Sequence, residues 1–144
     1  MKIGEFLKHP HQHLVICMPD HSLVAVAQLL HANGIGAMPV CELGTRMVGI
    51  VSERDLVRTF ATTEWSELPH LRVRDIMTTR VMSCGPDDSM QTAQDLMIRN
   101  NFRHVPVVDG AKVVGIISIG DLVKFTSEQR NVELRYLTEY IGAH

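Results

Sequence analysis

The chain repeats itself. Slid by 67 residues, Pro19-Asp20-His21-Ser22 falls on Pro86-Asp87-Asp88-Ser89, while Cys17, Leu29, Asn33 and Pro39-Val40 fall on Cys84, Leu96, Asn100 and Pro106-Val107. One residue is then lost in a turn. At the new offset of 66, Val48–Val57 overlays Val114–Val123 with seven of ten positions identical, where unrelated segments of ordinary composition share about one. An internal duplication in 144 residues constrains the fold more than any other feature. One copy, at ~50–60 residues with a single apolar sheet face, is marginal alone. Two copies packed through their sheets, related by a pseudo-two-fold axis, resolve the difficulty.

Each copy reads as strand, helix, strand, strand, helix, an α/β (α+β) unit. The apolar run Leu14–Met18 predicts a short strand ended by Pro19. Ser22 is placed to cap a helix whose apolar positions Leu23, Val26, Ala27 and Leu30 follow helical spacing and whose stop signal is Asn33-Gly34. A hairpin follows, Met38–Glu42 and Met47–Val51, turning at Leu43-Gly44-Thr45, and a second helix starts at Ser52. In copy two the hairpin turns at Asp109-Gly110, with helices predicted over Met90–Asn100 and Ile119–Thr126. The lead-in Ile3-Gly4-Glu5-Phe6-Leu7 resembles Val73-Arg74-Asp75-Ile76-Met77. The expected division is a first repeat with its lead-in over 1–60, a link over 61–74, a second repeat over 75–126 and a C-terminal helix over 127–144. That last helix carries Leu134, Leu137 and Ile141 on one face. Packing on its own domain and a homodimer contact both account for the stripe.

A formal net charge of -2, with eight histidines counted neutral, argues against nucleic acid or an anionic membrane as the main partner. The longest apolar runs are far short of the ~18 residues a membrane span requires. No signal-peptide pattern opens the chain. Three cysteines without a close CxxC pair point to reduced, buried thiols and a cytoplasmic location rather than a disulfide framework or zinc site. Cys17 and Cys84 hold equivalent strand positions, which suits packing. His9, His11 and His13 alternate, but no acidic or cysteine partner stands nearby and Pro10 interrupts them, so no metal site is expected.

The chemistry concentrates in Gly49–Asp55 and its twin Gly115–Asp121. A glycine in a strand permits close approach of a ligand to the backbone. The serine at the following helix start offers a hydroxyl and free N–H groups to an anion, and an aspartate one turn later can accept two hydrogen bonds from a ribose diol, as acidic residues do in dinucleotide-binding folds. The same Ser-x-x-Asp spacing is also a capping box that needs no ligand. The two roles are compatible.

The stretch Asp75-Ile76-Met77-Thr78, Pro86, Phe102-Arg103-His104-Val105-Pro106-Val107-Val108-Asp109-Gly110 and Val114–Leu122 resembles a cystathionine-beta-synthase (CBS) repeat closely. Copy one is similar more loosely, through Ile35–Val40 and Gly49–Leu56. The resemblance implies a tandem pair holding an adenosyl ligand (AMP, ADP, ATP or an NAD-like dinucleotide) as a regulatory ligand, with no catalytic cofactor. Carried over by position, Ser52 and Ser118 would take phosphate, and Asp55 and Asp121 ribose. Arg103 and His104 stand three and two places before the strand proline, where the family holds phosphate; copy one has Gly36 and Ala37 there, so the two sites are unequal. Read alone, His104 equally suits a surface or packing place. Candidate adenine contacts are Val15, Ile16, Met38 and Ile50 in copy one and Val81, Met82, Val105 and Ile116 in copy two; core packing accounts for each equally well. Arg54 and Lys124 are further candidates for reading phosphate number.

The expected function is therefore a sensor whose ligand shifts the arrangement of the repeats and signals to an effector protein in trans, with homodimerisation implied by the same resemblance. The alternative is a ligand-independent dimerisation or protein-interaction scaffold. No nucleophile–base pair, Walker loop or carboxylate dyad can be placed, so no catalysis is expected.

Overall fold

Ser22 and Ser89 open the two repeats in the same way. Their hydroxyls accept from the backbone N–H groups of Ala25 at 3.1 Å and Thr92 at 3.2 Å, starting α2 (Leu23–Asn33) and α5 (Met90–Asn100). Both helices stop at a left-handed residue, Gly34 (φ 61°) and Asn101 (φ 56°), the two residue types that tolerate this conformation best. The hairpins follow: β1 (Ala37–Glu42) with β2 (Arg46–Ser52), then β3 (His104–Asp109) with β4 (Lys112–Ser118). Their registers are copies of each other, Pro39 opposite Ile50 and Pro106 opposite Ile116, with equivalent bulges at Val40/Cys41 and Val107/Val108. The computed structural model describes residues 1–8 and 14–142.

The hairpins form one antiparallel sheet in the order β1-β2-β4-β3. They meet at a single residue pair, Arg46 with Lys112, and at the Val113 N–H donating to the Thr45 carbonyl at 2.9 Å. Further cohesion comes from the lead-ins, which cross over. Helix α1 (Ile3–Phe6) lies in the core of the second repeat, where Ile3 and Phe6 join Met90, Ala93, Met97, Val105, Val107 and Ile117. Helix α4 (Val73–Ile76) lies in the core of the first, with Val26, Leu30, Met38, Val40 and Val51. Backbone bonds fix both: Ile3 and Gly4 donate to the carbonyls of Asp88 and Pro86, Val73 and Arg74 to those of His21 and Pro19. Ile3 and Val73 are fully buried, and side chains of that kind contribute roughly 1.5–3 kcal/mol each.

Two expectations about elements change. The run Leu14–Met18 makes only one residue of pairing, a parallel bridge from Cys17 to Val40, mirrored by Cys84 and Val107; the turn at Pro19-Asp20 ends it before a strand develops. The helices expected over 119–126 and from Ser127 are one, α6 (Ile119–Gly142), because no glycine or proline stands between Asp121 and Ile141 to break it. Every residue from Thr126 to Glu139 is exposed, so the stripe of Leu134, Leu137 and Ile141 does not pack on its own domain. Among the described residues no helix is long and apolar enough to cross a membrane. His9, His11 and His13 lie outside the described residues.

Candidate functional site in the cleft between the repeats

Ser52 ends β2 and caps α3 (Glu53–Thr62). Its hydroxyl accepts from the Asp55 N–H at 3.2 Å, and Asp55 Oδ2 accepts in return from the Ser52 N–H at 2.9 Å and the Ser52 hydroxyl at 3.1 Å. The capping box expected from the spacing is therefore present. Asp55 is only 5% exposed, and its other oxygen, Oδ1, accepts from Arg58 Nη2 at 2.8 Å. A carboxylate oxygen has two lone-pair sites, so Oδ1 retains one acceptor position. The twin box stands at α6, with Ser118 N–H to Asp121 Oδ2 at 2.8 Å and Asp121 N–H to the Ser118 hydroxyl at 3.1 Å.

The first box opens on a cleft of about 350 Å³ built from both repeats. Copy one supplies Ser52, Asp55 and Ile50 to it, and copy two supplies Val81, Met82, Arg103 and His104. With Arg54 of copy one, which also lines the cleft, eight sequence-derived candidates are brought together. The other candidates are not. Met38 and Val105 are fully buried in the two cores, because strand alternation turns them inward from Ala37 and His104. Val15 packs on the first core, and Val15, Ile16 and Ile116 do not line this cleft. Ser118 and Asp121 at the start of α6, and Ile116 in β4, occupy the symmetry-equivalent positions and do not line this cleft. Lys124 is exposed and also lies away from it.

Sequence reasoning gave no site role to Thr78, Arg80, Arg58 and Phe102, which also line the cleft. Thr78 is held by two backbone bonds to Ile50, each 2.9 Å, so the segment after α4 forms one wall. Arg58 could have been found as an i,i+3 partner of Asp55. Thr78 stands in the Asp75–Thr78 stretch that carries the resemblance but had no site role assigned to it, and Arg80 lies beyond the repeated motifs and carries no comparable signal.

The glycines also correct the reading. A β-carbon on Gly49 would lie 2.8 Å from Met77 Sδ and 2.9 Å from the Thr78 carbonyl oxygen, and one on Gly115 would lie 2.7 Å from Leu7 Cδ2. Both make room for the crossed lead-ins rather than for a ligand. Gly36 does face the cleft: its missing β-carbon would lie 3.1 Å from His104 Cε1 and 3.2 Å from Nε2. The imidazole of copy two occupies the space that a side chain at Gly36, the counterpart of Arg103, would fill, which gives the inequality of the copies a steric basis. Burial holds the His104 pKa below its usual value, with Arg103 and Arg54 acting in the same direction and Glu53 and Asp121 opposing them. The helix starts are tied to the strands beside this point, Glu53 N–H to the Gly36 carbonyl and Ile119 N–H to the Arg103 carbonyl, both 2.9 Å.

The three thiols are free and buried. Burial, and then the neighbouring Cys41, push Cys17 up to about 12, so it serves packing and not nucleophilic chemistry at neutral pH.

Comparison with known proteins places these features. The CBS domain family model matches residues 3–62 and 73–128. The chain is 33% identical over 105 residues to the CBS domain-containing protein YhcV of Bacillus subtilis, covering 72% of either chain. The crystal structure of the CBS-domain containing protein ATU1752 from Agrobacterium tumefaciens superposes with a TM-score of 0.79 at 34% identity, over 88% of this chain and 99% of that one. A CBS domain pair of protein MJ0100, solved in complex with methylthioadenosine and S-adenosyl-L-methionine, shares the fold at 22% identity and a TM-score of 0.77, over 90% of this chain and 98% of that one. Duplicated hairpins, reciprocal lead-ins and a cleft shared by both halves thus have a common origin: the chain belongs to the CBS domain family, as a tandem pair.

Proposed function

We propose that this chain is a regulatory module that holds an adenosyl ligand (AMP, ADP, ATP or an NAD-like dinucleotide) in the cleft between its repeats and signals through their relative placement to an effector protein in trans. The carrying observation is that Ser52 and Asp55 of one repeat and Arg103 and His104 of the other line one cavity. A ligand bridging them stabilises one relative position of the repeats over others, the differential affinity any conformational signal needs. Ribose would take the remaining acceptor position of Asp55. Phosphate would meet Ser52, Arg103 and His104, and adenine would lie against Ile50, Val81 and Met82. The complex of the MJ0100 pair with two adenosyl ligands supports the ligand class. The buried free thiols suit a reducing cytoplasm.

Titration calorimetry with AMP, ATP and NAD tests this, with Asp55→Asn and Asp121→Asn as variants. Asparagine keeps an oxygen for the serine N–H, so the cap survives while the carboxylate is lost. Micromolar binding abolished by Asp55→Asn and kept in Asp121→Asn is expected. Absence of heat and of thermal shift with every adenosyl ligand would leave Ser-x-x-Asp as a cap alone. The scaffold reading would then stand, favoured by the exposed Val24, Val57 and Phe60 on the helices of one repeat and Ile98 and Val123 on those of the other. The same helix faces support a homodimer; a monomer in sedimentation across micromolar concentrations would count against it.

A further inference from the structure

At its turn end each hairpin sets an acidic residue against a basic one. Glu42 stands opposite Arg46 in the first and Asp109 opposite Lys112 in the second. Where the hairpins meet, Arg46 stands opposite Lys112. Residues directly opposite in antiparallel strands share a face, so in the strand order β1-β2-β4-β3 one row crosses the sheet as Glu42, Arg46, Lys112, Asp109. Its charges read negative, positive, positive, negative. All four residues are exposed, and among the described residues none of them is in an ion pair. The duplication imposes this order. Arg46 and Lys112 are counterparts at the offset of 66, Glu42 and Asp109 at the offset of 67, and a charged residue beside a two-fold axis meets its own sign. The seam bond, from the Val113 N–H to the Thr45 carbonyl at 2.9 Å, is made by flanking residues. Arg46 and Lys112 are therefore a non-hydrogen-bonded pair, the type whose side chains lie closest. Like charges in that position are destabilising, and the pairing of β2 with β4 goes no further.

We propose that the Arg46–Lys112 pair is a charge hinge: its repulsion keeps the hairpins from zipping into a continuous sheet and leaves the repeats a pivot at their turn ends. The cleft lies at the other end of the same strands, where Ala37, Ile50, Ser52 and His104 line it, so a small rotation at the seam moves its walls. Glu42 and Asp109 cannot relieve the repulsion, because each stands on the outer side of its own cation. The inference concerns how the repeats move and does not depend on what the cleft holds.

Charge swaps within a hairpin test it, since they reorder the row and leave the net charge unchanged. Glu42→Lys with Arg46→Glu makes the row alternate and sets a carboxylate against Lys112. Asp109→Lys with Lys112→Glu does the same from the other side, and the two swaps combined restore like against like. Amide hydrogen exchange at Val113, read by NMR, follows the seam. The Cys84 N–H, bonded to the Pro106 carbonyl at 3.0 Å within the second repeat, is the reference. Either swap alone is expected to slow Val113 exchange about fivefold with Cys84 unchanged, and the combined swap to restore the original rate. Salt at about 1 M should erase most of the difference. Relaxation dispersion at Ala37 and His104, one from each repeat, is expected to shrink in either single swap. Val113 exchange unchanged in both single swaps, still slow in the combined variant, or slowed no more than at Cys84 overturns the hinge. Dispersion at the cleft unaltered by a zipped seam overturns the pivot.

Discussion

Replacing Gly49 by alanine places a methyl group where the second lead-in passes. The new carbon would stand 2.9 Å from the Thr78 carbonyl oxygen and 2.8 Å from Met77 Sδ. The sulfur can swing away, but the carbonyl is main chain, and it accepts one of the two 2.9 Å bonds that join Thr78 to Ile50. Overpacking of this kind costs ~1–3 kcal/mol, and weakening the bonded pair adds up to about 1 kcal/mol per bond. Alanine recovers ~0.5–1 kcal/mol because glycine is poor in a strand interior. The expected net loss is about 2–3 kcal/mol. Gly115→Ala is the internal control, because it is the same position in the other repeat. Its new carbon meets the side chain of Leu7, Cδ2 at 2.7 Å, Cδ1 at 2.8 Å and Cγ at 3.3 Å, and a half-buried leucine can change rotamer, so the loss should stay within about 1 kcal/mol. Urea unfolding followed by far-ultraviolet circular dichroism reads both at constant m-value. Equal losses, or a larger loss at Gly115, would show that the lead-in backbone does not set the cost.

Two other outcomes follow from buried titratable groups. Burial lowers the His104 pKa, reinforced by Arg103 and Arg54 and opposed by Glu53 and Asp121. The unfolded chain therefore binds the proton first, and stability is full above the unfolded value near 6.5 and declines as pH falls from there toward the folded value. His104→Gln should flatten that part of the stability profile between pH 7 and 5, and an unchanged slope would refute the assignment. With all three thiols buried and raised, iodoacetamide at pH 8 should leave the native protein unmodified and label three sites once urea unfolds it; rapid native labelling counted by mass would contradict the burial.

The duplication made much of the fold legible. Helix α5 runs Met90–Asn100, as its spacing predicts, and the hairpin registers repeat as the offset of 66 requires. What the duplication hid was which half each lead-in joins. Ile3–Leu7 and Val73–Met77 resemble each other, so either suits either core, and only three-dimensional packing decides. The glycines were misread for the same reason, since the neighbour that excludes a side chain at Gly49 is Met77-Thr78 and not a ligand. Continuity of α6 was missed because the repeat ends near Thr126, although no residue there breaks a helix. In the site, Ser52, Asp55, Arg103 and His104 were legible from motif order. Met38 and Val105 were not separable from core by sequence, because the same apolar character serves both places.

The reciprocal lead-ins give the molecule the properties of a clasp. Each half carries a short arm that its own core does not use and a slot that only the other half fills. A single half, synthesised alone, would present an empty slot beside Val26 or Ala93 and an idle arm, and two such halves would trade arms to close both. The duplicated gene therefore encodes in one chain an exchange that separate chains would otherwise have to find by encounter. The link between the halves, with Trp65 86% exposed, is correspondingly relieved of holding them together. Cutting it near Trp65 would leave two fragments still gripping each other.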